Sequence, residues 1–353
     1  MMRRYVAITA IVACAAACSR NPDGAAANPK PQAPEGSAQL AIKRFASDIY
    51  GGSGVAQLPD GRVLVVEDQE SHPLVLVDLF GTGTIKSFTP REVTLALQSH
   101  GTSALRDLEG AASDPRGHVY AATSHSPTKV GKERQEREQL VRFDIAGDRL
   151  ANMQVSLRLK PALEILDPVF ASPDHGGMNI EGLAWDPEHS RLLIGFRSPR
   201  RNKDALLVWL QNPDMVFAQA AEPSLLPAVN LDLKGEGVRD VAYSPTLRGF
   251  VIVAGTWKSK KHAPPTLWFW KGDADAPILL QAPGLDDLKP EGIAEVVFAG
   301  RRGLLIVSDD GSGDDLYYKG RSIDNCGVPD RYAILPFDQL LRDNPSLKNL
   351  HYR

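Results

Sequence analysis

The chain is predicted to be an all-β protein, a β-propeller of five blades with six as the alternative, closed by an amino-terminal strand. Three observations predict it. The tetrapeptide Glu-Gly-x-Ala recurs at Glu109-Gly110-Ala111-Ala112, Glu181-Gly182-Leu183-Ala184 and Glu291-Gly292-Ile293-Ala294. Composition alone would produce ~0.1 such matches, so the copies reflect duplication or one repeated structural demand. A turn and a short β-rich run follow each copy, and the copies recur at the spacing of propeller blades.

Two degenerate copies complete the set, Ser53-Gly54-Val55-Ala56 and Arg239-Asp240-Val241-Ala242. The turns after the five copies are Pro59-Asp60-Gly61, Asp114-Pro115-Arg116-Gly117, Asp186-Pro187-Glu188, Ser244-Pro245-Thr246 and Ala299-Gly300-Arg301. Second strands follow at Val63 to Val66, His118 to Ala122, Leu192 to Gly195, Phe250 to Val253 and Leu304 to Val307. Runs this short and this rich in Val, Ile and Leu fit strands, because a helix needs ten residues or more to carry its period. Third strands are expected at Leu74 to Leu79, Leu140 to Ile145, Ala205 to Leu210, Leu267 to Trp270 and Tyr332 to Phe337. Fourth strands are expected at Met153 to Leu159, Val229 to Leu233 and Ile278 to Gln281. The last unit lacks a fourth strand, and Leu40 to Phe45 can supply it, which would remove the free sheet edges. A sixth, degenerate blade has room only between Gly110 and Gly182.

The 353 residues exceed one ordinary core, which a closed repetitive architecture accommodates. Hydrophobic residues at 43% and charged residues at 24% exclude a disordered chain and a multi-span membrane protein. A formal charge of −3 offers no excess of cations for neutralising phosphates, so no nucleic-acid partner is expected. Three cysteines cannot form a disulfide framework or a four-thiolate zinc site. Of these, Cys326 alone falls in the folded part and reads as a small buried hydrophobe.

At the amino terminus Arg3 and Arg4 precede a short apolar run that suits an export signal. It ends Ala15-Ala16-Ala17-Cys18, which resembles a bacterial lipobox, so residues 1–17 are expected to be removed and Cys18 acylated. Residues 18–37, rich in Pro and Ala, read as a tether, and residues 38–353 as the propeller. The expected location is the cell envelope, facing the periplasm and held at the outer membrane by the lipid alone. A monomer is expected.

In a four-stranded blade, the start of the inner strand and the loop between strands two and three share one face. The turns on the other face are short and read as structural. The loops on the first face are long and chemically loaded, which marks it as the functional one. Glu109, Glu181, Asp240 and Glu291 start inner strands there and are candidate ligands for a metal, because converging carboxylates demand a cation or raise one another's pKa values. A hard, oxygen-ligated ion such as Ca²⁺ fits that donor set. The same acids could instead pair with Arg106 or Arg239 or cap backbone amides, and both roles are open. Arg239, Lys258, Asp309 and Asp310 are candidate substrate-binding residues, Arg197 a substrate clamp, and His125 or His72 a general base. A small anionic substrate and metal-assisted ester or phosphoester hydrolysis would follow. The competing expectation is a non-catalytic propeller that binds a glycan, peptide or protein in the envelope.

The segments Asp107-Leu108-Glu109-Gly110-Ala111-Ala112, Ser124-His125-Ser126, Asn179-Ile180-Glu181-Gly182-Leu183-Ala184, Phe196-Arg197-Ser198-Pro199 and Val238-Arg239-Asp240-Val241 resemble the bacterial family labelled domain of unknown function 3616. That resemblance covers most of residues 40–340 and implies a propeller without specifying an activity. More distantly, the Glu-Gly starts resemble phytase-like esterase and gluconolactonase-like propellers, which implies Ca²⁺ at the channel mouth. The Asn constellation of the gluconolactonase pattern has no counterpart in this sequence.

Overall fold

The computed structural model describes residues 39–46, 49–68, 72–79, 83–97, 104–128, 130–173, 177–256, 264–272, 275–310 and 329–352. The expected signal, Cys18, the tether, Lys258 and Cys326 lie outside them. Twenty strands form five four-stranded antiparallel sheets, the blades of a five-bladed propeller. Blade 1 is β2 (Gly52–Gln57), β3 (Val63–Glu67), β4 (Leu74–Asp78) and β5 (Gly83–Phe88). Blade 2 is β6 (Leu108–Ser113), β7 (His118–Thr123), β8 (Leu140–Ala146) and β9 (Arg149–Ser156). Blade 3 is β10 (Asn179–Asp186), β11 (Arg191–Arg201), β12 (Asp204–Leu210) and β13 (Val229–Leu231). Blade 4 is β14 (Gly237–Ser244), β15 (Gly249–Gly255), β16 (Thr266–Trp270) and β17 (Ile278–Leu280). Blade 5 takes β18 (Pro290–Phe298), β19 (Arg301–Ser308) and β20 (Arg331–Pro336) from the carboxyl end and β1 (Ile42–Arg44) from the amino end. Ile42 faces Ala333 in that antiparallel closure. The ring is therefore sealed by main-chain hydrogen bonds between the two ends of the fold.

The second strand of each blade is packed on both faces, which explains why these strands read as continuous apolar runs rather than alternating ones. Val63 and Val65 of β3 join a cluster with Val296, Leu305 and Val307 of blade 5, while Leu64 and Val66 join one with Val119, Ala121 and Phe143 of blade 2. Comparable clusters lie between blades 2 and 3, 3 and 4, and 4 and 5. The stretch considered for a sixth blade instead holds α2 (Leu159–Leu166) and a 3-10 turn (Pro168–Ala171), whose Leu159, Leu163 and Phe170 are buried in the cluster between blades 2 and 3. Helix α1 (Pro90–Leu97) was not expected from the strand pattern, although Thr89 and Glu92 form a reciprocal capping box. Helices α3 (Pro213–Ala218) and α4 (Phe337–Asp343) complete the insertions.

The recurring glycine has a packing cause. A Cβ on Gly54 would stand 2.4 Å from the Glu109 carbonyl oxygen, and one on Gly110 would stand 2.8 Å from the Leu183 nitrogen. The inner strands of blades 1 and 2 thus run against the backbone of the next, too close for a side chain.

The residue after each Glu-Gly-x-Ala unit ties its blade to the preceding one on the short-turn face. Ser113 donates to the Gln57 carbonyl at 2.6 Å, and the Gln57 amide bridges to the backbone of Val297. The Glu295 carboxylate accepts from Ser244 and Thr246, and the Tyr243 hydroxyl donates to Glu188 at 2.9 Å. Trp185 stacks on Tyr120 with ring centroids 5.4 Å apart. Five different side chains at one repeat position make five successive blade-to-blade latches.

Candidate functional site: a carboxylate and guanidinium cluster at the channel mouth

Pairing of every inner strand with its neighbour skips one residue near its start. The skipped residues are Ser53, Glu109, Glu181, Arg239 and Glu291. A bulge frees the residue from the ladder and re-aims its side chain, so the repeat brings these five equivalent positions to one end of the channel. The convergence of Glu109, Glu181 and Glu291 expected from the sequence is therefore what the structure places there.

The fourth charged member is Arg239, where Asp240 was expected. Asp240 sits one residue later, in the glycine position, and is fully buried. Its carboxylate accepts from the Val241 and Ile293 amides, each at 2.8 Å, and from the Leu183 backbone. Burial pushes its pKa well above the ordinary carboxylate value, against the pull of those amides. Asp240 is a clamp across three blades and is corrected from a metal candidate to a structural residue.

Arg239 bridges the acids. Its Nη1 donates to both carboxylate oxygens of Glu291, the Oε2 contact being 2.6 Å, and lies 3.4 Å from Glu181 Oε2. Arg197 Nη1 donates to Glu181 Oε1 at 2.8 Å, and Asn179 Nδ2 donates to the same oxygen at 2.9 Å. A hard cation does not fit this arrangement, because a guanidinium already stands between the two best-placed carboxylates. Among the described residues no group of three or more His, Cys, Asp or Glu side chains is disposed to hold a metal.

Protonation sets the charge of the mouth. Burial raises Glu291 to about 7, with Arg239 pulling the other way and Glu181 adding to the rise. Glu109 is raised well above the ordinary value, first by desolvation and then by the charges of Asp107, Glu181, Asp68 and Glu291. It stays half-buried, and its side chain has no hydrogen-bond partner among the described residues. Arg197 keeps its Nε buried without a partner among the described residues. The mouth therefore holds two carboxyls raised above the ordinary range and a guanidinium with donor capacity left over.

The other candidates fall elsewhere. His125 has no accessible surface; its Nδ1 is 2.8 Å from the Thr123 carbonyl, and burial lowers its pKa to about 4. A left-handed backbone at His125 (φ 57°) accompanies this inward placement, so it is a neutral interior group and no general base for a ligand in the channel. His72 is half-buried with Nδ1 unpartnered among the described residues. Asp310 pairs with Arg331 at 2.7 Å and accepts from Ser308, which makes it part of blade 5 rather than a ligand group. Asp309 remains at the mouth, where its charge helps raise Glu291. Arg106 bonds through its backbone nitrogen to the Glu136 carbonyl. Ser53, Asn179 and the Asp107–Arg137 pair were missed as mouth residues. Ser53 was legible from its place in the repeat, while Asn179 and Asp107 each stand two residues before a mouth Glu.

No protein-family description and no curated protein sequence matches the chain. Among solved structures it is similar to the major allergen Mala s 1 of Malassezia sympodialis, with 15% identity, 81% of this chain and 77% of that one covered, and a TM-score of 0.41. It is also similar to a putative oxidoreductase (glucose dehydrogenase) of Thermus thermophilus, with 14% identity, coverage of 84% and 99%, and a TM-score of 0.40. The β-propeller domain of Myceliophthora thermophila Cps50 (Swd1) gives 12% identity, coverage of 83% and 99%, and a TM-score of 0.35. Likenesses this distant carry no argument about chemistry.

Proposed function

We propose that this chain is an exported, lipid-anchored, monomeric propeller of the domain of unknown function 3616 type that captures a small anionic ligand, a carboxylate or a phosphate, at the channel mouth. One observation supports the reading above others: Arg197 is held by Glu181 through Nη1 alone while its Nε has no partner among the described residues. A guanidinium fixed at one corner is a preorganised anion receptor. Glu109 and Glu291, both raised by burial, reduce the negative charge around Arg197 and Arg239 as pH falls.

Titration of the purified mature domain with inorganic phosphate and with a small carboxylate such as citrate, by calorimetry at pH 6 and pH 8, tests this. Saturable binding that is tighter at pH 6 and lost in Arg197→Met supports it. Absence of saturable binding to either anion, or equal binding by Arg197→Met, overturns it. Stoichiometric calcium in the purified protein would overturn the view of Arg239 as the mouth's resident cation.

A second reading, hydrolysis of an anionic ester, is favoured by the place of Glu109 at the mouth and by the burial that raises its pKa, since a carboxyl shifted upward is suited to donate a proton to a leaving oxygen. On that reading Glu109→Gln keeps anion binding and loses turnover. An ester and phosphoester panel without turnover by the wild type leaves the binding role alone. Cys18→Ala, with loss of acyl labelling and release from the membrane fraction, tests the anchor.

A further inference from the structure

A cavity lies at the opposite end of the channel, on the face of the short turns. Its volume is about 570 Å³, and residues from all five blades line it. That size falls within the usual range for small-molecule sites, roughly 300–1,000 Å³. The cause of the space is the repeat itself: Ala56, Ala112, Ala184, Ala242 and Ala294, the fourth residue of every unit, all face it. Five methyl groups where larger side chains would fill the channel leave it open.

Its lining narrows the class of ligand. The charged lining groups are engaged: Asp114 with Arg116 at 2.7 Å, and Glu295 with Arg302 at 2.8 Å and with Thr246. Gln57, Ser113 and Tyr243 form the blade latches described above. Among the described side chains that line the cavity, the one buried polar atom without a partner is Trp185 Nε1. Trp185 is 7% exposed, and an unmet indole N–H at such a position is a donor awaiting an acceptor.

We infer that this cavity is a second binding site, separate from the mouth, for a neutral small molecule of mixed polar and apolar surface carrying a hydrogen-bond acceptor that pairs with Trp185. Pairing of Asp114 with Arg116 and of Glu295 with Arg302 balances the charges of the lining, which favours a neutral ligand there. Ring-shaped or aliphatic ligands suit the alanine and proline walls, and a ketone, ester or ether oxygen suits the indole.

The probe is 6-propionyl-2-dimethylaminonaphthalene, a neutral aromatic ketone with polarity-sensitive emission, compared with 2-dimethylaminonaphthalene, which lacks the carbonyl. Full-length folded domain should bind the ketone saturably at one site with blue-shifted emission. Ala242→Leu, which projects a larger side chain into the cavity, should weaken binding of both probes. Trp185→Phe keeps the stacked ring and should weaken the ketone about tenfold while leaving the carbonyl-free probe unchanged. It carries the test if Ala242→Leu does not fold. No saturable binding, unaltered binding in folded Ala242→Leu, or equal weakening of both probes by Trp185→Phe overturns the inference. Displacement of the ketone by phosphate would overturn the separateness of the two sites.

Discussion

Replacing Arg239 with Met removes the guanidinium between Glu181 and Glu291 while keeping much of its aliphatic volume. Taking one partner from a buried ion pair typically costs about 3–5 kcal/mol, because the remaining charge stays buried without compensation. Glu291 has an escape, since it already titrates at about 7 and can take up a proton. At pH 5 the wild-type Glu291 is protonated, so the substitution costs only hydrogen bonds and packing, about 1–2 kcal/mol. At pH 8 the cost rises by about 1.4 kcal/mol, because wild-type Glu291 then lies about one unit above its titration point, and losing Arg239, the leading influence that lowers its pKa, keeps the carboxyl neutral. Urea denaturation of wild type and Arg239→Met at pH 5 and pH 8 measures this difference. Adding Glu291→Gln should recover most of the added loss at pH 8 and little at pH 5. An equal loss at both pH values, or simple additivity of the two substitutions at pH 8, would refute the account of Arg239 as the internal counter-ion.

Further outcomes follow from the same geometry. The raised Glu291 makes the folded state bind a proton that the unfolded chain has lost, so stability present below pH about 4.5 declines as pH rises through about 7. The size is on the order of 3 kcal/mol, and Glu291→Gln should flatten that part of the pH profile of the urea midpoint. Asp330, pushed up to about 7 chiefly by burial while accepting from the Gly52 and Asp310 amides, adds a decline of the same sign. Asp240→Ala should cost about 3–5 kcal/mol by leaving backbone amides on three blades without an acceptor, while Asp240→Asn, which keeps one acceptor oxygen, should cost less than half of that in thermal melts. Gly54→Ala should lower the melting temperature or prevent soluble expression, because its Cβ would meet the Glu109 carbonyl oxygen at 2.4 Å, and a backbone atom cannot yield as a flexible side chain can.

The amino-acid sequence alone determined the propeller of five or six blades, the second and third strands and the closing strand near Leu40 to Phe45, because the Glu-Gly-x-Ala unit and its β-rich run report local chemistry that repeats, and the structure decided for five. It also determined that Glu109, Glu181 and Glu291 share a position, since equivalent repeat residues occupy equivalent places around a ring. The capping box at Thr89 and Glu92 is local chemistry of the same kind and marks the start of α1. What only tertiary structure decided is which charge neighbours which. Arg239 and Asp240 are adjacent in the chain, yet the bulge sends one to the channel and the other between blades, a one-residue difference of register with opposite consequences. His125 was chosen by residue type, and only the packed interior shows it sealed from solvent. The cavity at the far end arises from five alanines that are unremarkable one at a time and form a wall only when the ring closes. Burial and proximity across blades are properties of the closed torus, and no local window of sequence contains them.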